Sequence, residues 1–489
     1  MQNSLANYLE NLVDVSGLVV FATELAEALE QLPASPPLPL STTLHRRQLP
    51  RKKIDDPLNA IVREIDVRSE ASGPLEGLRV TLKDSIAVGG IEMTCGSAAL
   101  QGFVPAGDAT VTRRLLDAGS SLVAVTNMDD LALSGGGDTS FYGPTRNPFD
   151  AHRSAGGSSG GAAASLRYED VDVAIGTDQG GSVRLPAAWC GVIGLKPTHG
   201  LVPYTGVVGM DSSLDHVGIM AKNVGVVADV LEVIAGADPL DPRQRNLPSP
   251  DRDSYSIQSV RGIGDNRWRV RVLKAAVDRS DHAVRSAFET VMTKWRVKGI
   301  EVDDCSLDDA SFGPLSTGIF VEGMIATLAG IQPTFAQDAY HWTELNDALS
   351  QGVADNFDKL SPSVITALIA GNDLQSRRPG RSYSQAANAI HSLRTAYDGA
   401  LRDVDFLVAP TSPSLPHVLD ASVDDVSRTR RGWDVLANTG AVNLTGHPAL
   451  SLPAGVSDGL PVGVMIVAPK WSEGRLLQFA SQLEDSFIR

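Results

Sequence analysis

The chain has 489 residues, 43% hydrophobic and 20% charged, enough apolar surface for a large buried core and more than the usual length of one domain. Its formal net charge of −16, from 42 basic and 58 acidic residues, argues against nucleic acid, anionic membrane surfaces and strongly anionic substrates, and favours a small neutral substrate. Three scattered cysteines, Cys95, Cys190 and Cys305, argue against a disulfide framework or a zinc site and point to reduced thiols in a cytoplasmic setting.

Residues 1–32 carry acids through an apolar pattern, which reads as an amphipathic helix and not as a signal peptide. No stretch approaches the roughly 20 apolar residues that span a bilayer, so no membrane is expected. The proline-rich stretch 33–50, with Arg46 and Arg47, reads as an extended connection, giving an N-terminal helical arm and linker over 1–60 and a domain over 61–489. Strand and helix signals then alternate, as in α/β proteins. The expected order is a strand at 78–83, a helix at 110–118 with Asp108 near its start, and a strand at 121–126. A helix-forming run at 161–166 and a strand at 171–177 follow. Later come a helix at 224–235, a strand at 271–277, a helix at 281–297 and strands at 406–409, 449–453 and 462–467. A last helix spans 473–484, with Ser472 as its N-cap. Residues 238–267, rich in Asp, Pro, Ser and Arg, read as a surface excursion. Residues 310–400 lack motifs and read as mainly helical, with Ile390, Leu393, Tyr397 and Leu401 on one face.

Two glycine-flanked serines stand out against this background: Ser158 in Gly156-Gly157-Ser158-Ser159-Gly160-Gly161 and Ser182 in Gly180-Gly181-Ser182. A Gly/Ser run alone is ordinarily a linker, but this one leads straight into a helix-forming run and a strand that ends on the second Gly-Gly-Ser. The first run also fits the G-x-S-x-G nucleophile elbow, which requires a preceding strand; residues 147–154 carry a proline and several polar side chains and do not read as one. Lys83 closes the apolar strand Val80-Thr81-Leu82 and supplies a possible base, since neither the serines nor their neighbours include an obvious histidine. A serine hydroxyl needs a neighbouring group to take its proton. Lysine does so only when neutral, which requires its pKa to fall by roughly 3 units from about 10.4, worth about 4 kcal/mol of environment, and burial is the natural source.

Together with Thr126-Asn127-Met128, Gly-Pro-Thr-Arg-Asn-Pro at 143–148, Gly176-Thr177-Asp178-Gln179-Gly180-Gly181-Ser182 and Gly194-Leu195-Lys196-Pro197-Thr198, these segments resemble the amidase signature family over about 78–236. The resemblance implies an α/β fold with a large twisted mixed β-sheet flanked by helices on both faces. It implies Ser182 as nucleophile, Ser158 as a cis-peptide serine relaying a proton, and Lys83 as base. Backbone N–H groups of Gln179, Gly180 and Gly181 would form the oxyanion hole. No metal and no cofactor are implied, and the arm suggests a homodimer. Gly176-Thr177-Asp178-Gln179-Gly180-Gly181-Ser182, Gly200-Leu201-Val202-Pro203-Tyr204-Thr205-Gly206 and Asp241-Pro242-Arg243-Gln244 look most similar to broad-range bacterial amidases associated with nitrile degradation. The expected activity is therefore hydrolysis of small neutral amides, with esters, anilides or carbamates reachable by the same acyl chemistry and no nucleic acid as partner. The stretch 310–400 is the expected seat of selectivity, and Phe141, Tyr142, Phe320, Tyr340 and Trp342 either line the cleft or simply pack. Two alternatives stay open: the A-type component of a glutamyl-tRNA amidotransferase, and a non-catalytic binding protein on the same scaffold.

Overall fold

The computed structural model describes residues 15–30, 38–41, 43–48, 56–244, 255, 267–307, 321–322 and 340–487. Most of the expected linker, much of the 238–267 excursion, part of the 310–400 region and Phe320 lie outside them. The strands are β1 (Thr43–Gln48), β2 (Ile61–Ser69), β3 (Arg79–Lys83), β4 (Ser121–Thr126), β5 (Val173–Asp178) and β6 (Ile193–Lys196). They continue with β7 (His216–Ala221), β8 (Arg269–Leu273), β9 (Glu301–Cys305), β10 (Phe406–Pro410), β11 (Ala449–Ser457) and β12 (Leu460–Val467). All lie in one mixed sheet, ordered β1-β2-β4-β3-β5-β7-β6-β11-β12-β10-β8-β9. The amidase-type α/β architecture expected from the sequence, a large twisted mixed sheet flanked by helices, is what forms.

The central strands are buried end to end, as in the Val-Ala-Ile-Gly-Thr-Asp of β5, because helices cover both faces and leave no solvated side to alternate toward. Helix Val224–Ile234 illustrates the covering layer. Asn223 starts it by accepting the Val226 N–H at 2.9 Å, and Val224, Val227, Leu231 and Ile234 turn inward. In helix Arg381–Ala400 the expected face holds: Ile390, Leu393 and Tyr397 are buried, and Leu401 just beyond joins them.

Several local expectations change. Thr43–Gln48, read as extended connection, pairs antiparallel with β2 as the sheet's edge strand. Asp108 lies just before helix Thr110–Asp117, as expected, with Ala109 at the N-cap position. Its carboxylate accepts the Ser41 and Gly89 N–H groups, both at 2.9 Å, and pairs with Arg46 at 2.7 Å, pinning the approach to the edge strand. The strand expected at 271–277 ends at Leu273 and gives way to a short helix, Lys274–Asp278, because the Ala-Ala pair there favours helix over sheet. Ser472 precedes helix Glu473–Leu483 without a side-chain cap bond.

Candidate active site

Parallel pairing of β3 with β5, in the register Leu82↔Ile175, sets the carboxyl ends of the two strands side by side. Crevices at such strand ends are where open α/β sheets place ligands. Lys83 is the last residue of β3 and is fully buried. Its Nζ lies 2.7 Å from Ser158 Oγ and 2.8 Å from Thr177 Oγ1 of β5. Burial pushes the Lys83 amine down from 10.5 to about 7, against the opposing pull of Asp129, Asp178 and Cys95, so a large neutral fraction exists near neutral pH.

Ser158 stands on a cis Gly157–Ser158 peptide. The Gly157 N–H donates to the Gly135 carbonyl at 2.8 Å, and the Ser158 carbonyl accepts the Asp129 N–H at 3.2 Å. Position 157 admits only glycine, because a Cβ would stand 1.8 Å from Asp129 Oδ2. Asp129 in turn accepts from Gly137 N–H (2.9 Å) and from Thr139 N–H and hydroxyl (3.0 and 2.7 Å). Burial, reinforced by Asp138, raises its carboxyl to about 6. The two serine loops are joined directly, with the Ser159 N–H donating to the Ser182 carbonyl at 3.1 Å.

The loop carrying Ser182 hangs from Asp178, the last residue of β5. Its carboxylate accepts the Gly181 N–H at 2.9 Å and the Val183 N–H at 3.1 Å. Arg184 meets it through Nη2 at 2.9 Å and Nε at 3.0 Å, with both side chains fully buried. Burial would raise the Asp178 carboxyl, but the Arg184 guanidinium holds it well below the usual carboxylate range. Asn443 donates to the Asp178 carbonyl and carboxylate, both at 2.9 Å, and accepts from Arg184 at 2.6 Å. Thr439 Oγ1 donates to the Gly180 carbonyl at 2.6 Å. At Gly181, with φ +136, a Cβ would stand 2.0 Å from Thr439 Oγ1, so this turn closes only without a side chain. Arg184→Met is expected to cost about 3–5 kcal/mol of stability, because Asp178 is left charged and unpaired in the interior. Urea denaturation measures this, and an unchanged midpoint would refute the anchoring role.

The sequence matches the Amidase family profile over residues 55–477. The chain belongs to the amidase family. As a family member it is an enzyme acting on C–N bonds. A curated relative from Halobacterium salinarum, the A-type component of glutamyl-tRNA(Gln) amidotransferase, is 36% identical over 434 residues, spanning 87% of this chain and 99% of its own. The crystal structure of the corresponding A-type amidotransferase component from Thermotoga maritima superposes with a TM-score of 0.70 at 27% identity, covering 89% of each chain. Native peptide amidase from Stenotrophomonas maltophilia aligns with a TM-score of 0.69 at 29% identity, over 85% of this chain and 84% of its own.

These comparisons correct the expected function. A self-contained amidase of small neutral amides, nearest to nitrile-associated enzymes and free of nucleic-acid partners, is at odds with relatives that are A-type components of glutamyl-tRNA(Gln) amidotransferases. The physical reasons are two. Net charge limits indiscriminate binding of the isolated chain to nucleic acid, but says nothing about membership of a complex. The stretch Leu201-Val202-Pro203-Tyr204, which reads in sequence as a mark of substrate class, is buried structure, with Leu201, Val202 and Tyr204 at most 8% exposed.

Lys83 and Ser158, 75 residues apart in sequence, meet as the motifs imply, and the Ser182 loop is tied to the Ser158 loop through the backbone. Thr177, Asp178 and Arg184 were within reach, since they flank the Gly-Gly-Ser of residues 180–182. Thr439 and Asn443 carried no local signal at all. Tyr340 and Trp342 line a cavity of about 140 Å³ together with Tyr204, Thr205, Met210 and Asn346, and none of Lys83, Ser158 and Ser182 is in its wall. Tyr142 packs as structure, its hydroxyl accepting from Arg63 at 3.0 Å, while Phe141 is 43% exposed. Cys190 is buried, and its thiol is pushed up to about 12 by that burial, as suits a core residue. Among the described residues no helix is long and apolar enough to cross a membrane.

Proposed function

We propose that this protein is the amide-hydrolysing, A-type component of a glutamyl-tRNA(Gln) amidotransferase, releasing ammonia from the side-chain amide of glutamine for transfer within a larger complex. The substrate and the complex rest on relatives of that description which match this chain over nearly their whole length. The chemistry rests on one observation, a buried amine with a pKa of about 7 held 2.7 Å from a serine hydroxyl. Neutral Lys83 takes a proton from Ser158 as Ser158 takes one from Ser182, and Ser182 Oγ attacks the amide carbon. Collapse of the tetrahedral intermediate returns a proton to the leaving nitrogen, ammonia departs, and water cleaves the Ser182 ester by the reverse relay.

Of the three expected oxyanion donors, Gly181 already gives its N–H to Asp178. The role therefore falls to the N–H groups of Gln179 and Gly180, each worth about 3–4 kcal/mol to the developing charge. Reconstitution with B- and C-type partner proteins, glutamine and glutamyl-tRNA(Gln) is expected to yield amidated tRNA, with glutamine hydrolysis rising at least about 10-fold over the isolated chain, a gain on the scale of about 1.4 kcal/mol of transition-state stabilisation. Failure to amidate, with Ser182 fully reactive toward a fluorophosphonate, would discard the substrate and complex while leaving the hydrolytic chemistry.

A further inference from the structure

Apart from the serine loops, three stretches of chain close around the cavity of about 140 Å³. Its walls come from the 204–215 stretch, from 240–243, and from Tyr340 and Trp342 with Leu345 and Asn346 of helix Thr343–Asp355. Two bonds tie the stretches together: the Tyr340 N–H donates to the Leu240 carbonyl at 3.1 Å, and the Tyr204 N–H to Asp241 Oδ2 at 2.9 Å. Tyr204, Tyr340 and Trp342 supply aromatic surface, the last two with ring centroids 6.5 Å apart.

The polar groups in these walls are mostly acceptors. Asp215, 4% exposed, accepts the Met210 N–H on Oδ1 at 3.0 Å. Its Oδ2 lies against Gly209, where a Cβ would stand 2.5 Å away, so a side chain at 209 would cover that oxygen. Thr205 Oγ1 and Asn346 Oδ1 are buried and have no hydrogen-bond partner among the described residues, and Thr205 is only 7% exposed. A buried oxygen in that condition is costly, which favours a ligand that brings donors to it.

Charge narrows the class. Asp211, Asp215 and Asp241 share the walls with one guanidinium, Arg243. That guanidinium is matched to Asp241 through Nε at 2.8 Å and through Nη2, with Nη1 on the Asp215 carbonyl at 2.5 Å. Burial lifts the Asp215 carboxyl to about 7 even with Arg243 nearby, as befits a carboxyl without a full counter-ion. An anion would add to the negative excess. A primary ammonium offsets it, carries three N–H donors, and interacts favourably with aromatic rings.

We propose that this cavity is a binding site for a small primary ammonium ligand, a short alkylamine in its charged form, with Asp215, Thr205 and Asn346 receiving its N–H groups and Tyr340 and Trp342 flanking its carbon body. None of Lys83, Ser158 and Ser182 lines it, so the site stands whether or not the serine chemistry proceeds as described.

Isothermal titration of the full chain with n-butylammonium chloride at about pH 8 tests this. Saturable binding is expected, with 1-butanol at least about 10-fold weaker because it lacks the charge. Asp215→Asn keeps an acceptor for the Met210 N–H and is expected to weaken the ammonium at least about 10-fold while leaving butanol unchanged. Asn346→Leu, on the helix, is expected to weaken it about 5-fold through loss of one hydrogen bond. The affinity is also expected to rise about 10-fold from pH 6 to pH 8, as Asp215 ionises through about 7 while the amine stays protonated. Among the groups facing Asp215, Arg243 and Asp241 keep their charges, Tyr204 stays neutral because burial lifts its hydroxyl, and Asp211, itself raised by burial, moves in the same direction. Absence of saturable binding by the wild type would overturn the site, and equal affinity for butanol would overturn the ammonium. Unchanged ammonium affinity in a folded Asp215→Asn protein, or in Asn346→Leu should the first variant not fold, would overturn the location, and an affinity flat or falling with pH would overturn Asp215 as the counter-ion.

Discussion

Ser182→Ala is expected to abolish amide hydrolysis, with kcat reduced on the order of 10⁵-fold or more, the scale seen when an acylated serine is removed from an otherwise intact site. The loss should be confined to chemistry. Ser182 is only 3% exposed, and the contact that ties its loop to the Ser158 loop is made by the Ser182 carbonyl, which alanine retains. Asp178 would continue to hold the Gly181 and Val183 N–H groups, so the turn has no reason to open. Glutamine turnover followed by ammonia release, with mass spectrometry for a covalent acyl adduct, checks this. An adduct that persists in the variant would move the nucleophile elsewhere, and Ser158 would be the first place to look.

Lys83→Met is expected to cost about 10²–10⁴-fold, the range for removing a general base, and to erase the pH dependence that the base creates. In the wild type the sign is fixed by the amine. Below about 7 Lys83 is an ammonium and has no lone pair to receive the Ser158 proton, so activity rises as pH climbs through about 7 and levels off above it. Asp129, raised to about 6, titrates just beneath. Its protonation removes a nearby negative charge and makes Lys83 easier to deprotonate, which blunts the acid limb without shifting its direction. A Lys83→Met enzyme that kept the wild-type limb would assign that limb to Asp129 instead.

The side chains proposed to react drew attention in the sequence because each sits in a short stretch whose residue types have few other uses. A lysine closing a β-branched strand and two serines among glycines identify their own neighbourhood, and the parallel register of β3 and β5 then brings Lys83 to Thr177. The supporting residues were not legible in the same way. Asn443 and Thr439 reach Asp178 and Gly180 across about 260 positions of chain, and nothing local to a threonine or an asparagine announces that distance. β6 and β7 escaped notice because Ile-Gly-Leu-Lys and His-Val-Gly-Ile-Met-Ala are short apolar runs with a glycine inside, a pattern shared by buried strands and helix segments alike. Substrate class was the weakest inference, since the stretches it leaned on include Leu201–Tyr204, whose apolar side chains Leu201 and Val202 are buried in the core.

The hold that Thr439 and Asn443 keep on the Ser182 loop sets an order of events during synthesis. A ribosome that has made the polypeptide through Arg184 has already produced Lys83, Ser158, Ser182 and the Asp178–Arg184 anchor, yet the bonds from Thr439 and Asn443 are still to come, and β11 and β12, which join β6 to β10 across the middle of the sheet, do not yet exist. A product that stops short of Thr439 would carry Lys83, Ser158 and Ser182 without the two side chains that hold the Ser182 turn from the far end of the chain.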